Sequence, residues 1–255
     1  MSADEKVVYP GISHDSFNRG EKLEYKVNFG IFTIGEGKMI ISDKRYQINE
    51  RDSYKVDAYG KTSGLVDWIA RVDDHWGAYI DSISLLPHVS YRNIKEGNYR
   101  KNEIVHFDHA QNILEAKTIN KKTGKWKEPV HYDSPDNVRE MLSGFLYLRT
   151  MDFSNMRKGD RFMIQSFFED TFYELEVEFK GREKLKTKAG KFRALKLVPR
   201  MPKNDLFDGE DSIVVWLSDD SNKIPLKVEA EMFIGHAGVE LKEYANLKHR
   251  PGRID

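Results

Sequence analysis

The sequence predicts an all-β protein with one short helix, built as a single large curved antiparallel sheet that forms a β-roll or open barrel. Three observations predict it. Polar and apolar residues alternate with a two-residue period through most of residues 21–247, the pattern of strands with one packed and one solvated face. Only residues 134–151 carry the three- and four-residue spacing of a helix. No fixed-length repeat and no low-complexity linker divides the chain. One domain over residues 21–247 is therefore expected, preceded by an irregular arm (1–20) and followed by a short tail (248–255).

The elements follow in order. Leu23, Tyr25, Val27 and Phe29 alternate with Lys22, Glu24, Lys26 and Asn28 in a first half-buried strand. Gly30 opens a turn, and Gly35 and Gly37 in the next strand mark a bulge or a close backbone crossing. Strands are read over 46–50 and 54–59, whereas 65–69 fits a helical turn or an apolar strand equally. Strands over 71–80 and 86–94 are joined by a turn at 81–85. Glu96-Gly97 and the segment 121–124 signal two hairpins. Ser134-Pro135-Asp136 supplies a helix N-cap with proline at the first helical position. Val138, Met141, Leu142, Phe145, Leu146 and Leu148 then follow at helical spacing, a helix that plugs or covers an opening of the sheet. Lys158-Gly159-Asp160 turns the chain back to strands over 161–169, 171–182, 192–199, 212–218, 224–233 and 239–247, with turns at Ala189-Gly190 and 219–222 and a longer loop at 199–209.

Composition removes several classes of function. The 41 basic and 41 acidic residues of the 255 cancel, so the whole molecule exerts no long-range pull on nucleic acid or on an anionic membrane. The basic stretches 117–127 and 184–191 are interleaved or flanked by acids and apolar residues, as on soluble strand edges. No cysteine is present, which excludes disulfides, thiolate metal sites and cysteine nucleophiles. No run approaches the length needed to span a bilayer as a helix. The polar start, Met1-Ser2-Ala3-Asp4-Glu5-Lys6, fits either a cytoplasmic protein or a chain that begins after a removed signal peptide. Phosphate-binding glycine loops, a GxSxG elbow and HExxH are absent, and no cofactor is expected.

Spaced phrases along the chain resemble a bacterial family, domain of unknown function 3108. They begin with Gly20-Glu21-x-Leu23-x-Tyr25 ahead of Gly30 and Gly35, then Tyr79-Ile80-Asp81 running into Leu86-Pro87, Glu96-Gly97-x-Tyr99 and Phe107-Asp108. Leu142-Ser143-x-x-Leu146-Tyr147-Leu148-Arg149 lies in the helix. Gly181-x-Glu183, Ala189-Gly190-x-Phe192, Val215-Trp216-Leu217-Ser218 and Ile224-Pro225 complete the set. The resemblance implies an exported, mostly β protein of the Gram-negative periplasm or cell envelope with no established activity. A lipoprotein member would carry an acylated cysteine, and this chain has none.

Candidate chemistry comes from several places. His106, Asp108 and the later His131 could converge on zinc; the plainer reading is that Asp108-His109 begins a solvated turn. His75 shares a strand face with Asp73 as an acid/base pair, and Trp76 is a natural sugar platform; the plainer reading is two capping acids and a packed ring. Tyr91, Arg92, Tyr99 and Arg100 on facing hairpin strands have the residue types of a polysaccharide lyase, and equally suit cross-strand packing. Asp219-Asp220 is a carboxylate pair or the acidic tip of a hairpin. Arg149 either satisfies the helix C-terminus or points inward at an anionic ligand. Trp76, Tyr79, Tyr147, Arg149 and Trp216 are the expected ligand-binding residues.

The expected function is an envelope protein that binds an apolar or glycan ligand in the concave face of the sheet. The alternatives are a carbohydrate-active enzyme, lyase or hydrolase, and a scaffold that docks a partner by strand addition at a sheet edge. Sequence leaves oligomeric state open.

Overall fold

A strand with alternating side chains has to bury one face, and this chain does so by rolling one sheet around its own apolar side. The computed structural model describes residues 8–64, 71–200, 209, 211–233 and 235–254; the 65–69 segment and most of the 199–209 loop lie outside them. The first half of the chain forms β1 (Lys22–Phe29), β2 (Phe32–Ile41), β3 (Tyr46–Ile48), β4 (Arg51–Thr62), β5 (Asp73–Asp81), β6 (Pro87–Glu96), β7 (Tyr99–Asp108), β8 (Ile113–Thr118) and β9 (Val130–Asp133). Helix α1 (Met141–Thr150) intervenes. The second half forms β10 (Arg161–Phe168), β11 (Thr171–Thr187), β12 (Gly190–Pro199), β13 (Ile213–Ser218), β14 (Pro225–Met232) and β15 (Gly235–Ala245).

All belong to one 15-stranded sheet of order β10-β11-β12-β13-β14-β15-β1-β2-β4-β5-β6-β7-β8-β9, with β3 added to β4. Neighbours pair antiparallel throughout, and β15 lies beside β1. The ladder is not closed between β9 and β10, so the roll is open. Rings bridge that seam instead: Tyr132 stands 5.4 Å from Phe167. Residues before the helix cover the β10 edge, as Arg139 N donates to Gln165 O and Phe167 N donates to Arg139 O. At the other edge, β9 is only four residues long and follows Pro129, a blunt end for strand addition. Bulges at Glu24/Tyr25, Val27/Asn28, Tyr79/Ile80, Phe179/Gly181 and Trp216/Leu217 tighten the curl.

The helix starts later than the Ser134-Pro135 signal predicts. Residues 134–140 turn and then bridge to β10, which a helix there would forgo. Glu140 is the cap: its carboxylate accepts from Leu142 N (2.9 Å) and Ser143 N (2.6 Å), while Glu140 N donates to Ser143 Oγ (3.1 Å). Strand β11 is also longer than read from the sequence, because the Gly181 bulge (φ 111°) lets it bend and continue to Thr187.

The curl brings residues of β1, β2, β4, β5 and β12–β15 into one apolar cluster that includes Leu23, Ile41, Val56, Ile80, Phe192 and Leu241. Leu142 and Leu146 of α1, Phe17 of the arm and Leu85 of the β5–β6 turn fill its centre. The concave face, where sequence reasoning seats a ligand, is therefore occupied by the protein's own side chains. A second cluster joins Leu148 and Phe153 to Phe179, Leu195 and Leu217, and a third lies under the β9–β10 seam.

Arg149 ties these parts together. It is fully buried and makes four hydrogen bonds: to Glu21 Oε1 (2.6 Å) and Oε2 (2.9 Å), Ser16 O (3.2 Å) and Asn222 O (3.1 Å). Ser16 Oγ in turn donates to the Arg149 carbonyl at 2.7 Å. One guanidinium thus joins the arm, the helix end and the β13–β14 turn. A buried charge so enclosed is tolerated because a carboxylate and two carbonyls hold it inside the protein. The tail is docked as well, with Gly252 N donating to Asp220 Oδ2 (2.7 Å) and His249 N to Asn222 Oδ1 (2.9 Å).

Candidate functional site on the outer sheet face

Lys55, Asp57 and Tyr59 alternate along β4 and so share one face. The register sets Tyr79, Gly77 and His75 of β5 directly opposite them, and Tyr91 of β6 opposite Gly77. The other face of these strands carries Val56, Ala78 and Ile80, which enter the core. The set of ionisable and aromatic groups therefore lies on the outside of the roll.

Asp57 is its centre. Oδ1 accepts from Tyr91 Oη (2.6 Å) and contacts His75 Nε2 (2.8 Å), and Lys55 Nζ approaches Oδ2 at 3.3 Å. Tyr91 reaches Asp57 by lying flat over Gly77, where a Cβ would stand 2.1 Å from its Cζ. Only glycine leaves room for that ring. Burial, and then the bond to Asp57, push the Tyr91 hydroxyl well above its ordinary value, so it stays protonated and acts as a donor. The Tyr59 ring stacks on His75 with centroids 4.4 Å apart and planes 12° apart, and Tyr59 is 41% exposed.

Tyr59 also walls a solvent-open groove of about 250 Å³ shared with Glu24, Glu36, Lys38, Lys61 and Lys242. That is just below the size typical of small-ligand sites, roughly 300–1,000 Å³. Its charges are loosely paired, Lys38 with Glu24 at 3.3 Å and Lys242 with Glu36 at 3.4 Å. Exposed pairs of this kind contribute little and exchange partners readily. By contrast, the inner pocket lined by Trp76, Arg92, Glu103, Glu140 and Phe168 holds about 20 Å³, space for about one water molecule.

The residues singled out by sequence are dispersed by this geometry. His75 and Tyr91 meet on the outer face. Arg92, adjacent to Tyr91, points inward, where it donates to Glu103 Oε1 (2.7 Å) and pairs with Glu169, its guanidinium 5.1 Å from Trp76 and 5.4 Å from Phe168. Tyr99 and Arg100 sit at the β6–β7 tip, with Arg100 donating to the Gly97 and Tyr99 carbonyls. The lyase quartet is not assembled. Asp73 stands opposite Lys61 and does not meet His75. Among the five expected ligand contacts, Tyr79 is outside beside Tyr46 (5.4 Å), Trp76 is inside, and Tyr147 lies under Arg139 (4.0 Å). Trp216 is buried with Nε1 donating to Glu183 Oε1 at 2.5 Å, and Arg149 is the interior tie already described.

The proposed zinc trio does not converge either. Asp108 accepts from Ala110 N, Gln111 N and Gln111 Nε2, which makes it a turn-former. His106 and His131 flank Glu115 across the strands, and no group of three or more His, Cys, Asp or Glu among the described residues could hold a metal ion. Asp220 accepts from Ser218 Oγ, Asn222 N and Lys223 N, the acidic hairpin tip of the plainer reading.

Sequence reasoning missed two sets. Lys55-x-Asp57-x-Tyr59 was visible as an ionisable stripe along one strand face, but its partners on β5 and β6 follow from register. Asp81 is the other: its carboxylate accepts from Arg51 (2.6 Å), Ile83 N (3.1 Å), Ser84 N (2.7 Å) and Ser84 Oγ (2.8 Å). Burial raises this carboxyl, and its contacts with His88, Arg51 and Ser84 outweigh burial and hold it well below the ordinary value.

A family model described as a protein of unknown function (DUF3108) matches residues 24–242. The chain belongs to the DUF3108 family. No curated protein matches it. Among solved structures it is similar to a β-barrel-like protein of domain of unknown function DUF1849 from Brucella abortus, at TM-score 0.57 and 8% identity, over 90% of this chain and 98% of that one. That likeness is one of fold alone. A hypothetical protein of Chlamydia trachomatis (TM-score 0.37, 9% identity, 93% of each chain) and an exported protein of Bacteroides fragilis with a YmcC-like fold (0.34, 10%, 93% and 100%) are too distant to carry an argument. The phrases on which the DUF3108 resemblance rests pair with one another in space: Glu21 with Arg149, Tyr25 Oη with Pro225 O (3.2 Å), and Glu183 with Trp216. These contacts hold the roll together; of the quoted phrases, Tyr79 and Tyr25 also touch the outer face and its groove. Among the described residues no helix is long and apolar enough to cross a membrane.

Proposed function

We propose that this DUF3108 protein is a non-enzymatic, exported envelope protein that binds a glycan in the groove on the outer face of β15, β1, β2 and β4. The observation that carries the reading is the half-exposed Tyr59 ring, held flat by His75, beside a groove of loosely paired charges. A fixed aromatic face next to exchangeable donors and acceptors suits a sugar ring, which offers an apolar face and a rim of hydroxyls. An apolar ligand in the concave face is less favoured, because α1 and the arm fill that space.

The test is a glycan array followed by calorimetry with the best binder. Tyr59→Ala should weaken binding about tenfold, the worth of roughly 1.4 kcal/mol, with a stability loss of about 0.5–1.5 kcal/mol from its stack on His75 that leaves the variant folded. Equal affinity in the variant removes the site from consideration. A second reading, a carbohydrate-active enzyme, is favoured by one contact: Asp57 orients the His75 imidazole behind Tyr59, the ring that walls the groove. Product detection with the same glycans separates it, since His75→Ala should then abolish turnover.

A further inference from the structure

Antiparallel alternation sorts every connection to one of two ends of the roll. The β1–β2, β6–β7, β8–β9 and β14–β15 turns share one end; the β5–β6, β7–β8 and β13–β14 turns share the other, where the arm and tail dock. Apolar exposure is strongly unequal between them. Ile31 (91% exposed), Phe32 (68%), Phe233 (63%), Tyr99, Trp126 and Val130 belong to the first end, and among the described residues Ile83 is the exposed large hydrophobic at the turns of the second. Ile31, Phe32 and Phe233 are neighbours, since β1 pairs with β15 and Gly30 N donates to His236 O.

The same end carries a basic, aromatic tip. Between β8 and β9, Asn120 Oδ1 accepts from Lys122 N (2.9 Å) and Thr123 N (3.3 Å), and Ile119 bridges Trp126. This rigid turn displays Trp126, 47% exposed, among Lys121, Lys122, Lys125 and Lys127, with Glu128 as the adjacent acid. None of the four lysines has an ion-pair partner among the described residues. Lys121 Nζ lies 4.3 Å over the Tyr99 ring of the next tip. Asp73, Asp74 and Glu96 lie between the apolar and basic tips, so a surface at this end touches the protein at two separated points.

We propose that this end docks on an anionic phospholipid bilayer, with Ile31, Phe32 and Phe233 entering the headgroup–acyl boundary and the Trp126 turn contacting the headgroups. Charge complementarity selects an anionic surface, because unpaired lysines gain from anionic lipid and neutral lipid offers them nothing. Tryptophan with lysine is the composition that settles at a membrane interface. The exposed apolar tips separate a bilayer from a nucleic acid or soluble polyanion, neither of which would bury Ile31 and Phe32.

Co-sedimentation of the full chain with phosphatidylcholine vesicles, with and without one quarter phosphatidylglycerol, tests it. Binding is expected only with phosphatidylglycerol and should weaken with salt. Lys122→Glu with Lys125→Glu should weaken it at least about 25-fold, counting about fivefold for each lysine near such a surface. Phe32→Ser with Phe233→Ser should weaken it severalfold at unchanged melting temperature. Tyr59→Ala should leave it intact, which separates this site from the glycan groove. Absence of binding at low salt overturns the proposal. So does retention in the phenylalanine variant together with equal affinity for heparin or RNA, which would leave a soluble polyanion as the partner.

Discussion

Glu21 and Asp57 are both carboxylates held by a cation and neighbouring polar groups, yet they end in opposite situations. Around Glu21 the Arg149 guanidinium makes four hydrogen bonds to partners inside the protein, and the helix end and arm enclose the fully buried pair. Around Asp57 the partners are on the outer face: His75 carries Tyr59 on its open side, and the groove begins beside that ring. The difference teaches that residue type does not mark function here. The two-residue period assigns one strand face to holding the sheet and the other to contact with the outside.

The largest test breaks the interior side. Arg149→Met leaves Glu21 buried without its cation and should cost about 3–5 kcal/mol in urea unfolding. Glu21→Leu combined with Arg149→Leu should cost clearly less than the sum of the single changes, because no charge is then stranded. A loss below about 1 kcal/mol for Arg149→Met would show that the pair is not the tie described.

Asp81 sharpens the contrast as a buried carboxylate with several donors and no open side. Asp81→Asn should cost about 1–3 kcal/mol at pH 7. The sign with pH follows from its lowered pKa. The contribution is complete above the unfolded carboxylate value of about 3.9 and is lost as pH falls below it. Unfolding of wild type and variant at pH 7 and pH 3 should therefore show the gap shrinking in acid. A constant gap would mean that the charge is irrelevant.

The smallest effect belongs to the outer face. Gly77→Ala places a methyl group where the Tyr91 ring lies, and the ring can swing outward, so the cost should be about 1 kcal/mol. The informative signal is spectroscopic: near-ultraviolet circular dichroism of the tyrosines should change while the melting curve barely moves. An unchanged tyrosine spectrum would mean that Tyr91 does not lie over Gly77.

Much of the fold was legible in the sequence. Alternation marked most strands, and Glu96-Gly97 fixed the register of β6 on β7, so that Tyr91 faces Ile104 and Arg92 faces Glu103. Counting back from that turn separates Tyr91 and Arg92 from Tyr99 and Arg100, which the residue types alone had grouped. The late helix start was not legible, because Ser134-Pro135 is a sound local signal that loses to a bridge with β10, a strand made later. Nor was the outer site: β4 and β5 are joined through residues 63–72, with no short turn to set their register, so Asp57 and His75 meet through pairing that no local pattern encodes. Arg149 and Glu21 are 128 positions apart, which explains why the helix-end reading of Arg149 looked sufficient.

The pairing of β15 with β1 sets an order of events. Strand β1 has β2 available within a few residues, but its second flank stays bare until more than 200 residues later in the chain, when β15 arrives. Such a long-range seam makes for slow completion, so a chain emerging from a ribosome stays pliable until its closing segment exists. Truncation ahead of Gly235 would leave Leu23 and Tyr25 on an unprotected margin, and sticky, strand-recruiting fragments should be the outcome.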